Sequence, residues 1–283
     1  MLDYDLVKNW TIPAERQRYT RHDTILYNLG VGANVIDRQS EIDLDLVWEE
    51  RLRALPTMAA VLAIEPYWYH DKRTGIGWEH SVHGEQSIEW HGVIPPEGEI
   101  VGESSVEEVY DKGVGRGALM VLRRTLSDGA TGARLATVRQ TVFLRKDGGF
   151  GGTAIAPPPR PVPERAPDLV WTSRTRPEQA LIYRLSGDYF PLHIDPEFAR
   201  NGGFAEPILH GLCTYGVTGH ALIDALCNGD GSRLKRLDAR FSAPVIPGET
   251  IETQIWQTGD GEASYRCRIG DRTVINNGYV RFT

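Results

Sequence analysis

Apolar and polar positions alternate along this chain in short runs, and the runs fall into two sets. In the first half a strand-like run at 86–92 precedes 99–109, 117–126 and 135–144, which are rich in Val, Thr, Leu and Phe and are separated by Gly and Asp, the pattern of an antiparallel meander. The second half repeats the plan at 238–243, 251–257, 263–269 and 273–282. A helical stretch precedes each later strand set: 55–64 in the first half and 209–226 in the second. In the latter, Leu209, Leu212, Val217, Leu222 and Leu226 fall near one another in helical projection. Two copies of a helix packed on a curved antiparallel sheet, an α+β arrangement, are predicted.

The two sets also share a turn. VIPPEGEI at 93–100 and VIPGETI at 245–251 each stand between two strand-like runs, which points to an internal duplication. Between the halves lie GGFGG at 148–152 and APPPRPVP at 156–163. Prolines this dense lack amide donors and fix φ, so they enter neither a helix interior nor a central strand, and an extended joint is predicted. The chain thus divides into a first repeat at 1–152, a joint at 153–163 and a second repeat at 164–283.

Composition narrows the class. With 283 residues, 41% hydrophobic and 24% charged, the chain has enough apolar material for a sizeable core. Its 31 Lys and Arg against 38 Asp and Glu give a net charge of −7, the wrong sign for holding nucleic acid or an anionic membrane through a general basic surface. A local basic pocket for a small anion remains compatible with that balance. Cys213, Cys227 and Cys267 form no C-x-x-C pair and read as reduced thiols. The first ten residues lack a leader pattern, and no apolar run reaches the roughly 18 residues of a membrane helix, so a cytoplasmic setting is expected. There is no Gly-x-Ser-x-Gly elbow, and Gly30-Val31-Gly32-Ala33 lacks the full dinucleotide-binding glycine pattern.

One segment differs from its surroundings: YRLSGDYFPLHID at 183–195. Asp188 and His193 stand five residues apart across a proline bend. A carboxylate and an imidazole held near one point can orient a water and exchange its proton. On the residues alone, Asp188 equally fits a turn cap and His193 a hydrogen-bonded core histidine. His193 and Asp195 with His210 also make a conceivable metal set.

The run at 183–193 resembles the signature of the hydratase 2 group of MaoC-like, hotdog-fold enoyl-CoA hydratases, Gly-Asp-x-Asn-Pro-Leu-His. Further runs, in the same order, look like the hydratase 2 unit of eukaryotic peroxisomal multifunctional enzymes. They are ILYNLGVGA at 25–33, VHGEQ at 82–86, DKG at 111–113, GGFGG at 148–152, ILHGLCTY at 208–215, RFSAPVIPGE at 240–249 and NNGYVRF at 276–282. The resemblance implies a double hotdog, two repeats that each wrap a long helix in an antiparallel sheet. Only the second would carry the catalytic loop; the first, non-catalytic, would accommodate the acyl chain.

The activity implied is reversible hydration of trans-2-enoyl-CoA to (3R)-3-hydroxyacyl-CoA with a medium, long or bulky acyl group. No metal or redox cofactor is implied, CoA being part of the substrate. By the same resemblance Asp188 and His193 hold the water, and the Gly211 N–H receives the thioester oxygen. His83, Gly84, Lys112, Tyr189, Phe190, Pro191, Leu192 and Phe241 would contact substrate, and a homodimer is expected. Phe190 departs from the pattern, standing where the family has Asn, and a phenyl ring supplies no conventional hydrogen bond. That departure admits a neighbour such as Tyr183, Ser186 or Tyr189, or an ordered water, in place of the amide, a reshaped pocket for an unusual acyl group, or a weakened, acyl-CoA-binding protein; a hotdog thioesterase or dehydratase is a further alternative. The aromatic run Pro66-Tyr67-Trp68-Tyr69-His70, with Trp78 and Trp90, suits a bulky acyl group with a ring.

Overall fold

A computed structural model of the chain describes residues 2–33, 44–65, 67–152 and 154–283. Among the described residues ten strands form one sheet in which each neighbouring pair is antiparallel: β1 (Glu15–Tyr19), β2 (Ser81–Trp90), β3 (Gly98–Asp111), β4 (Ala118–Asp128), β5 (Arg134–Leu144), β6 (Leu169–Arg174), β7 (Leu234–Phe241), β8 (Thr250–Gly259), β9 (Glu262–Ile269) and β10 (Arg272–Phe282). Their order, β1-β3-β4-β5-β2-β7-β10-β9-β8-β6, reads the same way from the centre toward either edge. One five-strand plan is therefore used twice, joined where β2 pairs with β7 from Glu85↔Arg240 to Glu89↔Arg236. The Ser87 hydroxyl donates to Asp238 across this seam at 2.6 Å, and Arg281 reaches Glu89 at 2.9 Å.

The helices are α1 (Tyr4–Lys8), α2 (Arg21–Gly30), α3 (Gln179–Tyr183), α4 (Pro196–Asn201) and α5 (Gly211–Cys227). Thr20 and Asp23 close a reciprocal capping box at the start of α2. The long α5 is buried over most of its length. Two of its glycines are there because the first repeat presses on the helix: a Cβ at Gly216 would lie 2.4 Å from Val31 Cγ1, and one at Gly219 would lie 2.5 Å from Thr57 Cγ2. Asn228, in the left-handed region at φ 54°, ends the helix.

One core cluster runs through both repeats, joining Tyr27, Val31 and Met58 to Cys213, Tyr215 and Leu222. A second lies within the first repeat, around Val7, Trp68, Met120 and Leu144. Residues 154–163 carry neither helix nor strand; there the Arg160 carbonyl accepts from Asn277 at 2.6 Å and the Arg160 guanidinium sits 3.9 Å from the Tyr279 ring centroid.

The helix expected over 55–64 is not formed. Pro56–Ala60 makes a 3-10 turn instead, and Ala63 takes φ 45°, a backbone state that an α-helix cannot include. The first repeat thus meets the sheet with short turns where the second has α5. No helix among the described residues is long and apolar enough to cross a membrane.

Candidate active site

The loop after α3 is shaped by two residues. Gly187 takes φ 119°, which side chains rarely adopt, and Pro191 opens the 3-10 turn Pro191–His193. Between them the Asp188 carboxylate accepts the Phe190 N–H at 3.2 Å, so Asp188 does brace the turn. His193 is 9% exposed, and its Nδ1 lies 2.8 Å from the Ile208 carbonyl. A carbonyl can only accept, so Nδ1 carries the proton and Nε2 keeps its lone pair. One oxygen of Asp188 and one ring nitrogen each of His193 and His210 lie within 4.8 Å of one another. Burial lowers the His193 pKa, against the opposing pull of the Ile208 carbonyl and the Asp188 charge. The imidazole is therefore poised as a neutral base beside a carboxylate.

Gly211 is the first residue of α5, and the preceding His210 makes no side-chain cap. First-turn amides have no intrahelical partner, and they stand at the positive end of the helix dipole. A Cβ at Gly211 would lie no closer than 3.6 Å to the Phe241 ring, an ordinary contact. Protein packing therefore does not require glycine here, in contrast with Gly216 and Gly219.

Phe241 meets His83 edge-on, ring centroids 5.1 Å apart, just past the last β2–β7 pair, where the two strands part. Gly84 is the reason: β5 pairs His83 with Val142 and Glu85 with Thr141, leaving Gly84 as a bulge that bends the strand. Burial pushes His83 down to about 4, opposed by the Glu85 carbonyl, Gln86 and the negative charge of Asp188. Lys112 sits at the end of β3 with its ammonium 4.7 Å from the centre of the Phe143 ring, one residue along β5 from the partner of His83. Its loop is held by Asp111, whose carboxylate accepts the N–H groups of Gly113, Gly149 and Gly151, each at 2.7 Å, and these bonds lower its pKa. This is the physical content of the DKG and GGFGG runs. With Phe143 and His210 as the intervening links, Lys112, Gly84, His83, Phe241, Gly211, His193 and Asp188 follow one another across the seam between repeats.

The rest of the loop is more open. Tyr189 is 58% exposed, with the Arg184 guanidinium 5.0 Å from its ring, and Pro191 and Leu192 are half-buried. Phe190 is 48% exposed and packs edge-on against Phe198 of α4 at 5.3 Å, with His193 at 6.4 Å. The buried hydroxyls of Tyr183 and Ser186 have no hydrogen-bond partner in the structure. Tyr67, His70 and Trp78 stack in series, with centroids 5.0 and 3.9 Å apart. The phenols of Tyr67 and Tyr69 are raised in pKa by burial and also by the Asp188 charge, which sets this wall beside the loop. Pro66 lies outside the described residues. Trp90 does not join the wall: it is 7% exposed, donates to the Pro56 carbonyl at 3.0 Å, and borders a cavity of about 300 Å³ with Ile223, near the opposite end of α5.

Asp195 does not belong to a metal set with the two histidines; its carboxylate caps α4 through the N–H groups of Glu197 and Phe198. Asp188 takes that place in the cluster. The rings of His193 and His210 are stacked, 3.7 Å apart and 26° from parallel, with His193 Nδ1 on the Ile208 carbonyl and His210 Nε2 on that of Asp188. His210 is the residue the sequence undervalued, and its place directly before Gly211 was the available signal.

Comparison with known proteins is consistent across the chain. The family model for the MFE-2 hydratase 2 N-terminal domain matches residues 17–146, and that for the MaoC like domain matches residues 159–277. The 3-hydroxyacyl-thioester dehydratase Y of Mycobacterium tuberculosis is 39% identical over 93% of this chain and 93% of its own. The peroxisomal enoyl-CoA hydratase 2 of Arabidopsis thaliana is 34% identical over 98% of this chain and 94% of its own. A solved MaoC-like dehydratase from Phytophthora capsici superposes with a TM-score of 0.86 at 34% identity, covering 99% of this chain and 98% of the other. The architecture is that of a double hotdog.

Proposed function

Since the chain belongs to the MaoC-like, hydratase 2 family, we propose that it hydrates trans-2-enoyl-CoA reversibly to (3R)-3-hydroxyacyl-CoA. The observation that carries this reading is the approach of an Asp188 carboxylate oxygen and a His193 ring nitrogen to within 4.8 Å, with His193 Nδ1 held by the Ile208 carbonyl, beside the uncapped start of α5. Water held between the two gives its oxygen to C3, and the proton released to the pair serves C2. Charge that moves onto the thioester oxygen as an enolate meets the Gly211 N–H, a contact of a kind worth about 3 kcal/mol. On this reading the chain's own groups suffice, without metal or redox cofactor.

Lys112 suits a CoA phosphate or a pantetheine oxygen. The aromatic wall of Tyr67, Tyr69, His70 and Trp78 suits a medium, long or bulky acyl group, including one with a ring. The first repeat would accommodate that group, its short turns replacing a long helix. A homodimer in the cytoplasm completes the proposal. The Phe190 ring favours one other reading, a catalytically silent acyl-CoA-binding protein, because it offers no hydrogen bond beside the water.

The test is a panel of straight-chain and ring-bearing enoyl-CoAs, following loss of the conjugated thioester absorbance with chiral analysis of the product. The (3R) product is expected, and Asp188→Asn or His193→Ala each lowers turnover at least about 100-fold. Near-normal turnover in either folded variant sinks the assignment. Tight binding without any absorbance change supports the silent binder, and release of free CoA a thioesterase.

A further inference from the structure

His210 is 1% exposed and stands where three parts of the site meet. Its Nε2 lies 3.2 Å from the main-chain carbonyl of Asp188, so this nitrogen is the one that carries the proton. One face of its ring stacks on His193 at 3.7 Å, and the ring of Tyr183 lies 4.9 Å away. Its own carbonyl accepts from the Thr214 N–H at 3.0 Å and the Thr214 hydroxyl at 3.3 Å, which fixes the first turn of α5 and with it Gly211. The chain thus runs from the carboxylate-bearing loop, through one imidazole, to the helix start.

Resting on the hydratase reading, we infer that His210 is a positioning residue: its Nε2–H tethers the Asp188 backbone while its ring covers His193, so that carboxylate, base and Gly211 amide keep one spacing. Its electrostatics serve that role. Burial first, then the charge of His193 and that of Arg184, push its pKa down to about 3, against the pull of the Asp188 carbonyl. It therefore stays neutral through the pH range in which His193 exchanges protons. The groups facing the pair are Asp188, Arg184, Tyr183, Phe190 and the Ile208 carbonyl.

Three substitutions separate tether from cover. Phe keeps a buried ring and loses the donor; Gln places an amide N–H near the Nε2 position; Asn reaches only the Nδ1 position. In the full chain, His210→Phe is expected to lower kcat at least about tenfold with KM changed less than about threefold, the pattern of lost positioning. His210→Gln is expected to restore kcat to within about threefold, and His210→Asn is not. A His210→Phe variant with kcat within twofold of the parent overturns the inference, as does equal kcat for the Gln and Asn variants, a comparison that also decides the matter if the Phe variant fails to fold. The second arm needs no turnover. The His193 imidazole, titrated by NMR, should shift upward by at least about half a pH unit in His210→Gln, because uncovering the ring relieves its desolvation. An unchanged His193 titration overturns the inference even if the parent hydrates no enoyl-CoA, an outcome that would itself sink only the hydratase reading.

Discussion

In the proposed hydration His193 serves as a base only while Nε2 is unprotonated, and its surroundings work toward that state. A histidine in water titrates near pH 6.5. Burial at 9% exposure disfavours the imidazolium and outweighs the two groups that favour it, the Ile208 carbonyl and the Asp188 carboxylate. The neutral form therefore persists to lower pH than in a free histidine. The acid limb of kcat/KM for hydration is expected below pH 6.5, and Phe190→Ala, which uncovers one edge of the ring, should move it upward. A limb above pH 7 in the parent chain would mean that the titrating base is another group. At this scale much was legible. A carboxylate and an imidazole five residues apart across a proline stood out in the sequence, and the fold brings them within 4.8 Å of one another. Trp90 was misplaced because an aromatic residue reads alike on either face of a strand, and burial alone decides which. His210 was weighed only as a metal ligand, because its place before a glycine is a weak signal until its ring is seen to touch another.

Glycine on α5 has two meanings that the sequence writes identically. Gly216 and Gly219 are forced by close neighbours, Val31 and Thr57, whereas the atoms nearest to a Cβ at Gly211 are those of the Phe241 ring, at an ordinary 3.6 Å. Gly211→Ala is therefore expected to leave the unfolding midpoint within about 2 °C of the parent, while kcat/KM falls at least about tenfold because a methyl group displaces the thioester from the amide. Gly216→Ala should do the reverse in kind, lowering the midpoint by several degrees through overpacking worth roughly 1–3 kcal/mol. Calorimetry and hydration assays on the two variants check both. The long ladder strands and α5 were readable from alternation and helical spacing, since each is specified by its own buried face. The edge strands were not. β1 is mostly charged, so its alternating burial leaves no apolar alternation in the sequence, and β6 has five of its six residues exposed and no buried face to mark it. The run LPTMAAVLAI at 55–64 has good local helix propensity, but it ends in a left-handed Ala63 whose carbonyl lies against Gly102 of β3, and that tertiary constraint prevails.

The sheet order shows one five-strand plan repeated about the β2–β7 seam, and repeats of this kind are often taken as separable units. The packing here argues otherwise. α5 belongs to the second repeat, yet its glycines receive Val31 and Thr57 of the first, and Gly231 beyond it lies where a Cβ would come within 3.0 Å of Pro56. Tyr27, Val31 and Met58 share a core with Cys213, Tyr215 and Leu222, so cutting the chain at the joint would expose the apolar faces of both halves. The seam also carries the site, since His83 and Lys112 come from one side and Phe241, Asp188, His193 and Gly211 from the other. The full chain is therefore expected to unfold in a single calorimetric transition, with calorimetric and van't Hoff enthalpies in agreement. Fragments 1–152 and 164–283 expressed apart should lack cooperative unfolding and hydratase activity, and co-expression should restore both. Two resolved transitions, or an independently folded second fragment with full turnover, would show that the site does not need the first repeat.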